Sequence, residues 1–324
     1  MVDSADAKKQ RERAILDLIY ASRQVDDVAP SERPDFVLRH RCGFHFGVEI
    51  AELYHSQTTA RLERIPEYAG ELLSGGRFRH KDDAGRIKVG RVDILSDRNE
   101  VVYSQVEAII QDAPPVAECA RTLAALIAAK TEKLASPPTI LAHVNLLIHD
   151  RTNVLFMVPR EKFFQLYFQP ELKSALASTQ FREVFFLTKM KDGTGFVPLK
   201  MLWLMSEVYF FNAIYTATES HARFTPARYE LEVFASYFGD RVKGPVLFRV
   251  DAGGMEVIYG DAGFLVAADK SVFVRTYQDD PFPADARPPE RGLADQLGPD
   301  FMGKLTEHHA SNTFVSGICF PAGT

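Results

Sequence analysis

Two short and largely apolar runs, at residues 140–148 and 184–187, place the strongest constraint on how this chain folds. Because their apolar residues are mostly consecutive and do not alternate with polar ones, both runs have the pattern of strands buried on both faces. Such strands need helices on either side, and an Ala- and Leu-rich helix is predicted before the first run, at residues 116–134. The sequence therefore predicts an α/β fold in which a mixed central sheet is flanked by helices.

A pair of strands is predicted closer to the N-terminus. Residues 34–38 and 44–53, with the sequences PDFVL and FHFGVEIAEL, are separated by a polar turn, which is typical of a hairpin. A helix is predicted on each side of this pair, at residues 5–22 and 58–73, where apolar residues recur at helical spacing. Pro30 and the two acids before it end the first helix.

The pattern of elements changes near residue 222, which predicts two regions. Before it, the sequence predicts a second hairpin at 86–95 and 101–110, a helix at 162–177 interrupted by Pro170, and a helix within 197–217. After it, short strands are separated by Gly- and Asp-containing turns. We therefore expect an α/β core over residues 1–222 and a small β-rich C-terminal region of unknown role over residues 223–324.

Composition narrows the class of protein. Hydrophobic residues make up 46% and charged residues 25% of the 324 positions, as in ordinary folded proteins. The formal net charge of -5 argues against a basic surface over the whole molecule, although a local basic groove can still bind phosphates. The polar N-terminal residues lack the apolar core of a signal peptide, no apolar run reaches the length of a membrane span, and the three cysteines form no CxxC pair. These features predict a cytoplasmic protein with reduced thiols that does not enter a membrane.

Two carboxylates, Asp35 and Glu49, form the strongest chemical signal in the sequence. Side chains alternate between the faces of a strand, so Glu49 and Ala51 share one face and Ile50 points to the other. Adjacent antiparallel strands can place Asp35 beside Glu49, and the main-chain carbonyl of Ile50 would add a third oxygen. Because hard cations prefer oxygen ligands, we expect these three residues to hold Mg²⁺ or Mn²⁺.

This motif resembles that of the PD-(D/E)xK nuclease superfamily, in which a Pro-Asp pair, here Pro34-Asp35, precedes a second acid, here Glu49. The order of predicted elements over residues 5–217 is similar as well. The resemblance implies a restriction-endonuclease-like core and metal-dependent hydrolysis of phosphodiester bonds in nucleic acid. It also implies a place among the metal ligands for Glu12, which lies on the opening helix.

Ala51 stands where the superfamily has its lysine. In some members of the superfamily the basic residue comes from a neighbouring helix, and Lys130 and Lys133 are the candidates here because residues three apart share a helix face. A lysine ammonium at the site would orient the attacking water or stabilise the developing negative charge. Both lysines also have a simpler interpretation, as exposed helix-end residues that complement the helix dipole.

Two further observations bear on specificity. Asp93 and Glu107 repeat the fourteen-residue separation of Asp35 and Glu49, so this spacing alone is weak support for a site. Basic residues near the motif would form either a phosphate-binding face or a mixed charged surface; they are Lys8, Lys9, Arg11, Arg13, Arg33, Arg39, Arg41, Arg61 and Arg64.

The sequence thus predicts a Mg²⁺-dependent nuclease that acts on nucleic acid, on DNA more than on RNA. The expected catalytic residues are Asp35, Glu49, Lys130 and Lys133, and the expected metal ligands are Asp35, Glu49, Ile50 and Glu12. The alternative is a catalytically inactive nuclease-like scaffold that binds nucleic acid or protein, since Ala51 replaces the expected lysine. The C-terminal region is a further candidate for binding a protein partner.

Overall fold

The computed structural model describes residues 5–20, 25–41, 43–110, 115–134, 141, 143–152, 166, 169–190, 193–218, 228–242, 244–269, 271–276 and 283–310. Four sequence predictions fall partly or wholly outside these residues: the end of the helix at 5–22, the start of the strand at 140, the first part of the helix at 162–177, and the boundary at residue 222.

Helices account for much of the described chain. They are α1 (Ala5–Asp17), α2 (Gln57–Arg64), α3 (Tyr68–Leu73), α4 (Val116–Leu134), α5 (Pro170–Ser178), α6 (Leu199–Ala217), α7 (Arg228–Arg241) and α8 (Pro299–Ala310). The helix predicted at 58–73 is divided into α2 and α3, because Pro66 cannot supply the backbone N–H that a continuous helix would need there. None of the helices within the described residues combines the length and apolar character needed to cross a bilayer.

Within the residues that the structure describes, the strands form three separate sheets. They are β1 (Val25–Pro30), β2 (Phe36–His40), β3 (His45–Leu53), β4 (Ile87–Leu95), β5 (Val101–Ile110), β6 (Val144–Asp150), β7 (Val184–Met190), β8 (Gly193–Pro198), β9 (Val246–Asp251), β10 (Gly254–Tyr259), β11 (Ala262–Ala267) and β12 (Val272–Thr276). The orders are β1-β2-β3-β6-β7-β8 in the central sheet, β12-β11-β10-β9 in the C-terminal sheet, and β4-β5 in a two-stranded hairpin.

The central sheet is mixed. Its inner strands β3, β6 and β7 run parallel, whereas β1, β2 and β8 pair antiparallel at the two sides. The inner strands are buried on both faces, and this explains their near-continuous apolar sequences. The predicted fold class, a mixed central sheet flanked by helices with a β-rich C-terminal region, is therefore confirmed.

Helices cover the central sheet on both faces. On one face, α1 packs through Ile15 and Leu16 against a cluster that includes Val48 and Ile50 of β3. On the other face, α4 packs through Leu123, Ile127 and their neighbours against Ala51 and the following strands. The alternation along β3 thus sends successive residues into two different cores, and the strand lies between α1 and α4.

The second core extends into the C-terminal sheet. It continues from β3 and α4 through Trp203 of α6 and Tyr259 of β10 as far as Leu305 of α8. Buried polar contacts accompany it: Arg182 Nε lies 2.8 Å from Asp261 Oδ1, and the Tyr259 hydroxyl donates to the Leu176 carbonyl at 2.9 Å. The apolar core is therefore continuous between the central sheet and the C-terminal sheet.

Candidate functional site

A cavity of about 730 Å³ lies beside the middle of β3, between α1 and α4. Glu12 of α1, Asp35 at the start of β2, Glu49 and Ile50 of β3, and Lys130 of α4 all line it. The structure therefore brings into one cavity five of the six residues that the sequence placed at the site.

The main chain of Ile50 is the centre of this arrangement. Pairing between β2 and β3 ends at Phe36 and Val48, so the side of β3 that faces β2 is open at Ile50. The Asp35 carboxylate accepts the Ile50 N–H at 2.8 Å, and the Ile50 carbonyl accepts from Lys130 Nζ at 3.1 Å. Both backbone groups, which would otherwise be unpaired at a strand end, are bound by charged side chains that converge from two other elements.

Lys130 also binds the neighbouring carboxylate. Its Nζ lies 2.5 Å from Glu49 Oε1, and the two side chains are only 19% and 20% exposed. Ala51 faces the same side of β3 as Glu49 and is buried against α4, in the cluster that contains Ile127 one turn before Lys130. The short Ala51 side chain leaves α4 packed close to the strand, and the helix lysine supplies the positive charge there.

Lys133, the second predicted lysine, is not brought to the cavity. It lies one turn further along α4 and is exposed. This position fits the simpler interpretation of a lysine in the last turn of a helix, where a cation complements the helix dipole.

The competing acid pair lies elsewhere. Asp93 and Glu107 belong to the β4-β5 hairpin, where the register pairs Asp93 with Ser104 and Glu107 with Gly90, so the two acids are not cross-strand neighbours. Asp93 is exposed and accepts the Ser104 hydroxyl at 2.5 Å. The equal spacing in sequence therefore does not produce an equivalent arrangement in space.

Helix α1 contributes an ion-pair network to the same cavity. Lys9 Nζ lies 3.2 Å from Glu12 Oε2 and 3.4 Å from Asp35 Oδ1, and it donates to the Ser31 carbonyl at 3.1 Å. Lys8 Nζ lies 3.4 Å from the other oxygen of Glu12. Burial favours the neutral amine of Lys9. The hydrogen bonds and negative charges of Glu12 and Asp35 outweigh this effect of burial, so the pKa of Lys9 is raised and the ammonium form is stabilised.

The opposite end of the cavity has a different character. Tyr54, at the end of β3, is covered on one ring face by the Arg64 guanidinium, 4.7 Å from the ring centroid, and its hydroxyl donates to Glu52 at 3.1 Å. Arg151 donates to Glu63 at 3.0 Å and lies 3.9 Å from Glu52. Two arginines, two glutamates and a tyrosine thus balance each other in charge at this end.

The acidic end offers oxygen ligands for a cation. The Asp35 and Glu49 side chains and Ile50 line one cavity, and Glu12 Oε2 is inaccessible to solvent and lies 3.2 Å from Lys9 Nζ. Within the described part of the chain, no three His, Cys, Asp or Glu side chains stand close enough to form a metal site by themselves. Carboxylate and carbonyl oxygens are the ligand type that a hard cation such as Mg²⁺ takes, with several waters completing its coordination.

Sequence reasoning missed three features of this cavity. The sequence prediction counted Lys9 only among the basic residues near the motif, although its position three residues before Glu12 on one helix is typical of an ion pair. Tyr54 and Arg151 belong to no sequence motif. They follow β3 and β6, and they come near each other because these two strands pair in parallel.

Comparison of the chain with models of protein families, with curated proteins and with solved structures gives no match.

Proposed function

We propose that this protein is a metal-dependent nuclease that hydrolyses phosphodiester bonds of nucleic acid, with DNA as the preferred substrate. The observation that supports it most is the contact of Lys130 Nζ with both Glu49 Oε1 and the Ile50 carbonyl, beside the Asp35 carboxylate. Desolvation offsets part of the Coulomb attraction in a partly buried ion pair, so one at the wall of an open cavity is better explained by chemistry than by stability.

Each residue has a defined part in this proposal. Asp35, Glu49 and the Ile50 carbonyl would hold the cation, with Glu12 behind them. A bound Mg²⁺ or Mn²⁺ would supply Lewis acidity toward the phosphate and toward a water. The Lys130 ammonium lies between Glu49 and the Ile50 carbonyl, where it can donate a hydrogen bond to the attacking water or to an oxygen that gains negative charge. Lys8 and Lys9 offset the charges of Glu12 and Asp35, which lessens the repulsion of a phosphate.

The second candidate is a nuclease-like scaffold that binds nucleic acid or protein without cleaving it. The observation that favours it is that Lys130 and Lys9 already neutralise Glu49 and Asp35. A cation would have to compete with these ammonium groups for the same oxygens.

Cleavage assays distinguish the two candidates. Purified protein is incubated with DNA and with RNA in Mg²⁺, in Mn²⁺ and in EDTA, together with the Glu49→Gln variant, which keeps the size of the side chain and removes its charge. The nuclease proposal expects cleavage that requires the metal and is lost in the variant. Binding of DNA without cleavage under any of these conditions would favour the scaffold.

A further inference from the structure

The Tyr54–Arg64 pair forms a partly exposed part of the cavity wall. The Arg64 guanidinium lies over one face of the tyrosine ring, 4.7 Å from its centroid, and the Arg64 side chain is 64% exposed. The guanidinium therefore has accessible surface next to an aromatic ring. Accessible guanidinium groups and aromatic rings are the side-chain surfaces on which unpaired nucleobases stack.

Polar groups around this surface are arranged for a neutral ligand and not for a phosphate. The two arginines, Arg64 and Arg151, are matched by Glu52 and Glu63, with Arg151 held at 3.0 Å by Glu63. The Arg151 Nε–H is inaccessible to solvent and makes no hydrogen bond to a described residue. Carboxylates repel a phosphate but accept hydrogen bonds from the amino groups of bases, as acids do for cytosine.

We propose that this end of the cavity is a nucleobase subsite that takes an unpaired nucleotide beside the phosphate held at the Glu49 end. The inference rests on the proposed function for the identity of the ligand. It adds a substrate class, namely single-stranded DNA or a duplex with an unpaired end.

The length of β3 supports the assignment. A strand rises about 3.3 Å per residue, so Glu52 lies about 10 Å along β3 from Glu49. The two side chains leave opposite faces of the strand, and both line the one cavity, which lies where β3 has no β2 partner beyond Val48. A base in a duplex has both of its faces covered by neighbouring base pairs, and it cannot stack on Arg64. An unpaired base can leave the stack and reach the guanidinium while its strand passes the acidic end.

Binding measured in EDTA tests the subsite without requiring cleavage. The full chain is titrated with a fluorescent single-stranded DNA and with a strand of the same length in which every nucleotide is abasic, so that the phosphates are retained and the bases are removed. The same titrations are made with Arg64→Lys, which keeps the charge and loses the stacking plane. Arg79→Lys is the matched control, because Arg79 is exposed, pairs with Glu71 of α3 and does not line the cavity.

The wild-type protein should bind the normal strand roughly 5- to 150-fold more tightly than the abasic strand, the range for stacking of one base. Arg64→Lys should bring this ratio close to one, with affinity for the abasic strand unchanged, and Arg79→Lys should leave the ratio as in the wild type. Equal binding of both strands by the wild type, no binding of either, or an unchanged ratio in Arg64→Lys would overturn the inference. Base preference without cleavage would count against the nuclease alone, whereas metal-dependent cleavage without base preference would count against the subsite alone.

Discussion

Lys130 Nζ lies 2.5 Å from Glu49 Oε1, so a lysine of α4 and a carboxylate of β3, 81 positions apart in sequence, form one partly buried ion pair. The same ammonium reaches the Ile50 carbonyl. A lysine on the strand at position 51 would have entered the apolar cluster beneath α4, where Ala51 is 5% exposed. Supplying the charge from the helix lets the strand residue remain part of the core.

Lys130→Ala tests this relationship directly. We expect metal-dependent cleavage to fall roughly 10²-fold or more, the scale for losing one positioned group that stabilises charge. The matched control is Lys133→Ala, one turn further on the same helix and exposed, which should retain wild-type cleavage. Initial rates on a labelled DNA at saturating Mg²⁺ measure both. Full activity in Lys130→Ala would reject the helix lysine as a catalytic group.

Asp35 has two roles that substitution can separate. Asp35→Ala leaves the Ile50 N–H without its acceptor, and we expect the free energy of unfolding to fall by about 1–3 kcal/mol. Asp35→Asn keeps an oxygen that can accept this hydrogen bond and should lose less stability. Urea unfolding measures both variants, and both should lose cleavage because the carboxylate charge is gone. Equal destabilisation by the two substitutions would show that the Ile50 hydrogen bond is not what Asp35 contributes to folding.

Local patterns in the sequence account for much of the fold and for part of the site. The β2-β3 hairpin and helix α4 follow from alternation, turn residues and helical spacing, all of which act over a few residues. Strand β1 was missed because the acids and Pro30 in it resemble a helix stop, and a proline is tolerated at the edge of a sheet. Helix α7 was missed because the glycine-rich strands that follow it dominate the pattern of that region.

Some contacts in the cavity can be predicted from local sequence patterns, and others cannot. That Lys130 could reach the acids was predictable, since the helix precedes a buried strand and must pack on the sheet. The contact of Arg151 with Glu63 joins residues 88 positions apart, and no local periodicity contains it. Such contacts depend on which strands become neighbours, and only the assembled sheet fixes that.

Gly260 tests the connection between the C-terminal sheet and the central sheet. It turns between β10 and β11 with φ +59°, and a Cβ placed on it would lie 2.1 Å from the Arg182 carbonyl oxygen. Gly260→Ala should lower the free energy of unfolding by at least about 2 kcal/mol, because left-handed strain and a backbone clash add together. Gly303→Ala is the matched control: no described atom outside its own helix backbone lies within 4 Å of the new Cβ, and helix α8 should gain about 0.4–1 kcal/mol. A Gly260→Ala protein as stable as the wild type in urea would show that this turn does not hold the two sheets together.

Glu183 predicts a specific pH dependence of stability. Its carboxylate accepts the backbone N–H groups of Lys200 and Met201 at the start of α6, and burial, which outweighs these hydrogen bonds, raises its pKa from 4.5 to about 7. The folded protein therefore holds a proton that the unfolded chain releases near pH 4.5. The contribution of this group to stability is fully present below pH 4.5 and is lost as the pH rises through about 7.

Glu183→Gln cannot ionise and tests this dependence. Between pH 4.5 and pH 7.5, the unfolding free energy of the wild type should fall relative to that of the variant. Urea unfolding at these two values measures the shift, and a difference that does not change with pH would show that Glu183 ionises alike in the folded and unfolded states.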